Sequence, residues 1–245
     1  MTTRRDGRGP DDLRPVKFTR DFTDMAMGSA LVDVGRTRVL CTASVGDDVP
    51  PWLRGTGRGW VTAEYSLLPG STPERVRREA TRGKQSGRTQ EIQRLIGRSL
   101  RAVCNLDNMA DTEVILDCDV LQADGGTRTA SICGAYIALH DALARLVATG
   151  RLPLHPLHDA CAAVSVGVVG GVSMLDLDYS EDAGAEVDMN VVMTGSGGLV
   201  EVQGTAEREP FSRTQLGELL DLARAGIDQL LEAQAAVLAT PPPAR

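Results

Sequence analysis

The stretch Asp117-Cys118-Asp119-Val120-Leu121-Gln122-Ala123-Asp124-Gly125-Gly126-Thr127-Arg128-Thr129, with the apolar residues on either side of it, decides how the chain is read. Val114, Ile115, Leu116, Val120 and Leu121 have the branched, apolar character of a β-strand. Asp124-Gly125-Gly126 closes it, because glycine accepts the backbone angles of a tight turn. Residues 130–147 are rich in Ala, Ile and Leu with no Gly or Pro after Gly134, which predicts a helix, and Thr127 and Thr129 are its candidate N-caps. A helix that starts at such a turn offers free backbone N–H groups and the positive end of its dipole. Gly126, Thr127 and Arg128 therefore form a candidate cradle for an oxyanion, in which the Arg128 fork grips phosphate in two places.

Outward from this unit, residues 29–34 and 38–45 alternate around Gly35-Arg36-Thr37 as a β-hairpin, and residues 60–65 read as a further strand. Residues 4–20 are basic and carry turn signals, which predicts a solvated, loop-like arm. After residue 160 two more hairpins are expected, around Gly170-Gly171 and around Thr194-Gly195-Ser196-Gly197. Ser212 with Gln215 is a capping box, and Leu216, Leu219, Leu220, Ala223, Ile227, Leu230 and Leu231 give the helix behind it one apolar face. The order of elements predicts an α/β (α+β) protein with mixed β-sheets covered by helices, a single domain over residues 1–238 and a Pro-rich tail over residues 239–245.

Aromatic residues make up only 3% of the 245, so Val, Leu, Ile and Ala must build the core. Five cysteines without C-x-x-C spacing read as reduced core thiols, which points to the cytoplasm. The start Met1-Thr2-Thr3-Arg4-Arg5 does not resemble a secretory leader, no run approaches the roughly 18 apolar residues of a membrane span, and no membrane partner is expected.

Charge is unevenly placed. The net charge is -7, yet residues 74–101 hold nine basic residues against Glu74, Glu79 and Glu91. Helical spacing of Ile92, Leu95, Ile96, Leu100 and Val103 predicts a helix from about Thr89 that leaves Arg94, Arg98 and Arg101 free to meet an anionic polymer. Conversely, Asp176, Asp178, Glu181, Asp182, Glu186 and Asp188 fall in a stretch with no Lys or Arg between Arg151 and Arg208. Carboxylates at that density repel one another unless a cation sits among them, and hard oxygen ligands suit Mg²⁺. A phosphate cradle, an arginine-rich path and an acidic cluster together are the parts that phosphoryl or nucleotidyl transfer requires.

Five stretches carry a resemblance to a known family: Asp6-Gly7-Arg8 with Leu13-Arg14-Pro15; Gly59-Trp60-Val61-Thr62-Ala63-Glu64-Tyr65; residues 86–98, beginning Ser86-Gly87-Arg88-Thr89-Gln90-Glu91; residues 117–129; and residues 185–191, with Glu186-Val187-Asp188-Met189-Asn190. From about Arg4 to Leu238 the chain resembles the bacterial ribonuclease PH proteins. The resemblance implies the ribosomal protein S5 domain 2-like fold, a homohexamer built as a trimer of dimers, and phosphorolysis of RNA 3′ ends. The implied substrates are the trailer of precursor tRNA and other structured RNA 3′ ends, with inorganic phosphate as co-substrate and nucleoside diphosphates as products. By the same resemblance Arg88, Gly126, Thr127 and Arg128 bind phosphate, and Asp182 and Asp188 are the active-site carboxylates that would hold Mg²⁺, or Mn²⁺ in its place. RNA contacts are implied for Arg54, Arg58, Arg75, Arg77, Arg78 and Arg82. The chain departs from many relatives at Gly70, where they have Arg, which removes an RNA contact. The alternatives are an inert RNA-binding ring subunit, which commonly lacks the phosphate arginine or the carboxylates, and a small-molecule kinase, which would leave the arginine run unexplained.

Overall fold

The computed structural model describes residues 4–244, apart from the side chain of Arg82. Met1, Thr2, Thr3 and Arg245 therefore lie outside the described residues, as does the Arg82 contact expected from the sequence.

Among the described residues, nine strands form two sheets. β1 (Val16–Arg20), β2 (Gly28–Val34), β3 (Thr37–Gly46), β4 (Trp60–Leu67) and β5 (Glu113–Gln122) make the first, in the order β1-β2-β3-β5-β4. All its pairs are antiparallel except β4 with β5, which run parallel because α1 (Gly87–Arg101) carries the chain back between them. β6 (Cys161–Val169), β7 (Val172–Leu175), β8 (Val187–Thr194) and β9 (Leu199–Ala206) make the second, antiparallel throughout, in the order β7-β6-β8-β9. α3 (Tyr179–Asp182) interrupts the path from β7 to β8, and α4 (Arg213–Leu238) closes the fold.

α2 (Thr127–Ala148) lies between the sheets, against β2 and β3 on one side and β6 on the other. It is apolar enough to cross a membrane by length and composition, but 83% of its apolar window is buried inside the protein, as befits a helix that is hydrophobic all round. α4 packs on β6 and β7 through Leu219, Ala223, Ile227 and Leu230, and its Gln234 donates to the carbonyls of Cys133 and Cys161, tying α2 to the second sheet. One continuous core spans both sheets, and all five cysteines are buried free thiols.

Three local expectations need correction. Residues 16–20 are an edge strand, not part of a loose arm, because Phe18 is buried and the segment pairs with β2 along its whole length. α2 begins at Thr127 with Gly126 as its N-cap in the left-handed conformation, and neither threonine caps it. Thr129 Oγ1 instead donates back to the Gly126 carbonyl at 2.9 Å. Arg101 is not free for a polymer: it donates to the Val61 carbonyl at 2.7 Å and lies 4.3 Å over the Trp60 ring.

Candidate active site

β4 and β5 end on the same side of the first sheet, and the turn after β5 starts α2 there. A cleft of about 750 Å³ opens at this point, and the second sheet supplies its facing wall. Arg88 from the first turn of α1, Gly126, Thr127 and Arg128 from the start of α2, Asp182 from α3 and Asp188 from β8 all line it. Four segments scattered over a hundred residues thus converge on one space.

The turn is rigidly held. Gly125 and Gly126 have φ of +79° and +65°, and a Cβ on Gly125 would sit 2.6 Å from the Leu177 carbonyl oxygen and 2.8 Å from the Tyr179 nitrogen. Only glycine permits both the left-handed backbone and this approach to α3. Thr37 Oγ1 accepts from the Asp124 N–H at 2.9 Å and donates to the Gly125 carbonyl at 2.6 Å. Tyr65 and Thr127 share a hydroxyl hydrogen bond of 2.8 Å. Arg128 donates to Gln203 and lies 3.5 Å from Glu91, while Gln203 Nε2 donates to Glu91 at 3.1 Å. Glu91 and Gln203 had no distinguishing signal in the sequence, since their role comes only from meeting Arg128 across the cleft.

The six carboxylates expected to form an unbalanced cluster do not. Arg14 pairs with Asp176 through 2.6 and 2.9 Å contacts and donates to the Asp124 carbonyl at 2.5 Å. Arg4 grips Glu181 at 2.7 and 2.5 Å, and Arg8 lies 3.6 Å from Asp176. Asp178 caps α3, and Glu186 accepts from the Gly171 N–H at 3.1 Å. Balancing charge comes from the N-terminal segment, more than 160 positions away in sequence, so residues 4–14 form a surface strap pinned by the buried side chains of Arg4 and Arg14 rather than a loose arm. Of the six, Asp182 and Asp188 are left lining the cleft.

Their environment is distinctive. Burial first, then the negative charge of Asp182, pushes Asp188 up to about 6 despite Arg128 and Arg88 nearby. Burial likewise raises Asp182, with the same arginines opposing. A carboxylate raised in the folded state contributes stability that is complete below its ordinary value of 3.8 and lost as pH rises through about 6. In the absence of divalent cations, Asp188→Asn is therefore expected to melt above the parent at pH 7, with the difference vanishing as pH falls below 4; equal melting at both pH values would contradict the burial of this charge.

Among the described residues no group of three or more His, Cys, Asp or Glu side chains converges to hold a metal. Two mutually repelling carboxylates nonetheless fit Mg²⁺ or Mn²⁺, because such ions keep several waters and take few protein ligands beside substrate phosphate.

The arginines expected to contact RNA divide. Arg75 lines the cleft, and exposed Arg77 follows on the same loop. Arg78 stands over a neighbouring hollow of about 770 Å³ beside Glu64, Asp117 and Asp119. Arg54 and Arg58 are not brought to the cleft: they precede β4, at the opposite end of the strand, and pair with Asp48 at 2.9 Å and Asp107 at 2.7 Å.

Residues 12–144 match the model of the 3′ exoribonuclease family, domain 1, and residues 159–226 match domain 2 of the same family. The chain belongs to this family, the RNase PH family of 3′ exoribonucleases. Similar solved structures include the Archaeoglobus fulgidus exosome with RNA bound to the active site, at 24% identity and a TM-score of 0.80 over 94% of this chain and 92% of that one. Rice (Oryza sativa) Rrp46 is 20% identical, with a TM-score of 0.75 over 96% of this chain and all of that one. An archaeal exosome core is 22% identical, with a TM-score of 0.75 over 94% of this chain and 90% of that one. At these identities the likeness establishes the fold.

Proposed function

We propose that the protein is a phosphorolytic 3′-to-5′ exoribonuclease of the bacterial ribonuclease PH type, which trims the 3′ trailer of precursor tRNA in the cytoplasm and works as a homohexamer, a trimer of dimers. The observation that carries this reading is the convergence of Arg88, Gly126, Thr127 and Arg128 with Asp182 and Asp188 on one cleft. An inert ring subunit has no use for both sets. RNA in the active site of the similar Archaeoglobus fulgidus exosome supports RNA as the polymer. Sedimentation at the mass of a hexamer or dimer is the expected result for the assembly, and an active monomer would contradict it.

Phosphate sits on the N–H groups at the start of α2, between Arg88 and Arg128. One of its oxygens bonds to the phosphorus of the terminal nucleotide as the bond from that phosphorus to the penultimate 3′ oxygen breaks. The 3′ oxygen takes up the proton that the attacking hydrogen phosphate gives up, and a nucleoside diphosphate leaves. Asp182 and Asp188 would hold Mg²⁺ or Mn²⁺, which when bound supplies positive charge to the leaving oxygen. Arg75 on the cleft wall steers the RNA backbone inward.

The deciding experiment is incubation with a 3′-extended tRNA, with and without phosphate. Nucleoside diphosphates released only with phosphate are expected; monophosphates released without it would mean hydrolysis. Arg128→Lys keeps the charge and loses the fork that also meets Gln203, so the phosphate concentration for half-maximal rate should rise about tenfold or more. An unchanged phosphate requirement would remove Arg128 from the cradle.

A further inference from the structure

Among the described residues Tyr179 is the one aromatic side chain both broadly exposed and lining the candidate active site: 64% of its surface is accessible, and it lines the same cleft as Asp182 and Arg128. An exposed tyrosine ring in a cleft of arginines and carboxylates has no packing role of its own. Its backbone, by contrast, is fixed. Asp178 caps the turn of helix that Tyr179 opens, and the Gly125 backbone lies so close that a Cβ there would fall 2.8 Å from the Tyr179 nitrogen. The ring is thus rooted beside the phosphate cradle while its faces stay accessible. Tyr179 and Asp182 are three positions apart on one helical turn, so their side chains are neighbours on one face. Leu67 and Val76 line the cleft as well and give it an apolar side.

On the phosphorolytic reading, the scissile linkage lies between Arg128 and Asp182, and the base attached to it must rest within a few ångströms. We propose that the Tyr179 ring is the platform on which the 3′-terminal base of the RNA stacks. Every base offers a π-face, so such a platform holds the terminal nucleotide without reading its identity, which suits an enzyme that removes successive nucleotides of any sequence.

The test uses a short RNA carrying 2-aminopurine at its 3′ end, in phosphate-free buffer so that nothing turns over. Stacking quenches this base. Quenching is expected with the parent and with Tyr179→Phe, and not with Tyr179→Ala or Tyr179→Leu, whose dissociation constants should rise roughly 5- to 150-fold. The phosphate requirement of all four should agree within about twofold. Parental quenching and affinity in Tyr179→Ala and Tyr179→Leu would overturn the proposal, as would loss of the assembly in sedimentation as the sole effect of both variants. If the parent quenches the probe but releases no nucleoside diphosphate on adding phosphate, the phosphorolytic reading fails and the platform stands. If Tyr179→Ala phosphorolyses with parental affinity for RNA, the platform fails and that reading stands.

Discussion

Asp188→Asn is expected to lower single-turnover phosphorolysis by about 10²- to 10⁴-fold while RNA binding holds or tightens. The substitution keeps the side chain's size and its place in β8, so the cleft keeps its shape. What it removes is a half-buried negative charge that the fold holds against the repulsion of Asp182. Among the described residues no Arg or Lys lies within salt-bridge distance of it, unlike Asp176 and Glu181, and it lines the open cleft instead. Polyanionic RNA meets less repulsion once it is gone. Rate and equilibrium binding measured on the same preparation separate the two effects, and normal turnover in Asp188→Asn would remove this carboxylate from the chemistry.

The second large effect is expected far from the reacting atoms. Arg14→Met leaves the buried Asp176 carboxylate with the 2.8 Å hydrogen bond from the backbone N–H of residue 14 and the longer 3.6 Å contact to Arg8, and breaking a buried pair in this way costs about 3–5 kcal/mol. For a chain of this size that lowers the melting temperature by roughly 6–20 °C. Adding Asp176→Asn removes the orphaned charge, and asparagine tolerates the positive φ of +53° found there. The double variant should regain part of the stability. It should not regain phosphate affinity, because Arg14 also holds the Asp124 carbonyl at 2.5 Å and its Nη2 lies 3.0 Å from where a Gly126 Cβ would be. A double variant with parental phosphate affinity would show that Arg14 serves stability alone.

How far the sequence revealed this molecule depends on the range of the interaction. The β2–β3 hairpin was legible because alternation and a glycine turn are local, and α4 because its capping box and apolar face sit within a few turns of one another. The turn before α2 was legible for the same reason, since Gly125-Gly126 writes its left-handed backbone directly into the residue types. α3 escaped notice because four residues carry no periodicity. The strap escaped notice because Arg14 and Asp176 are 162 positions apart, and a basic segment and an acidic one look equally solvated when read separately. For the same reason the bare sequence gave no ground for choosing Asp182 and Asp188 among six acids; only the family resemblance separated them. The structure then accounts for the other four, two by arginine and two by hydrogen bonds to backbone.

The strap also sets a schedule. Arg4 emerges from a ribosome 177 residues before Glu181, its partner, which at ordinary elongation rates is roughly 9–35 s. In the last part of that interval, once residue 128 has been made, the arginine-rich loop and the turn before α2 exist as polypeptide, but Asp182 and Asp188 do not. On the proposed function, the arginines that would meet RNA are therefore made before the carboxylates that would serve its cleavage, and the two sets are joined only when the N-terminal segment reaches Asp176 and Glu181.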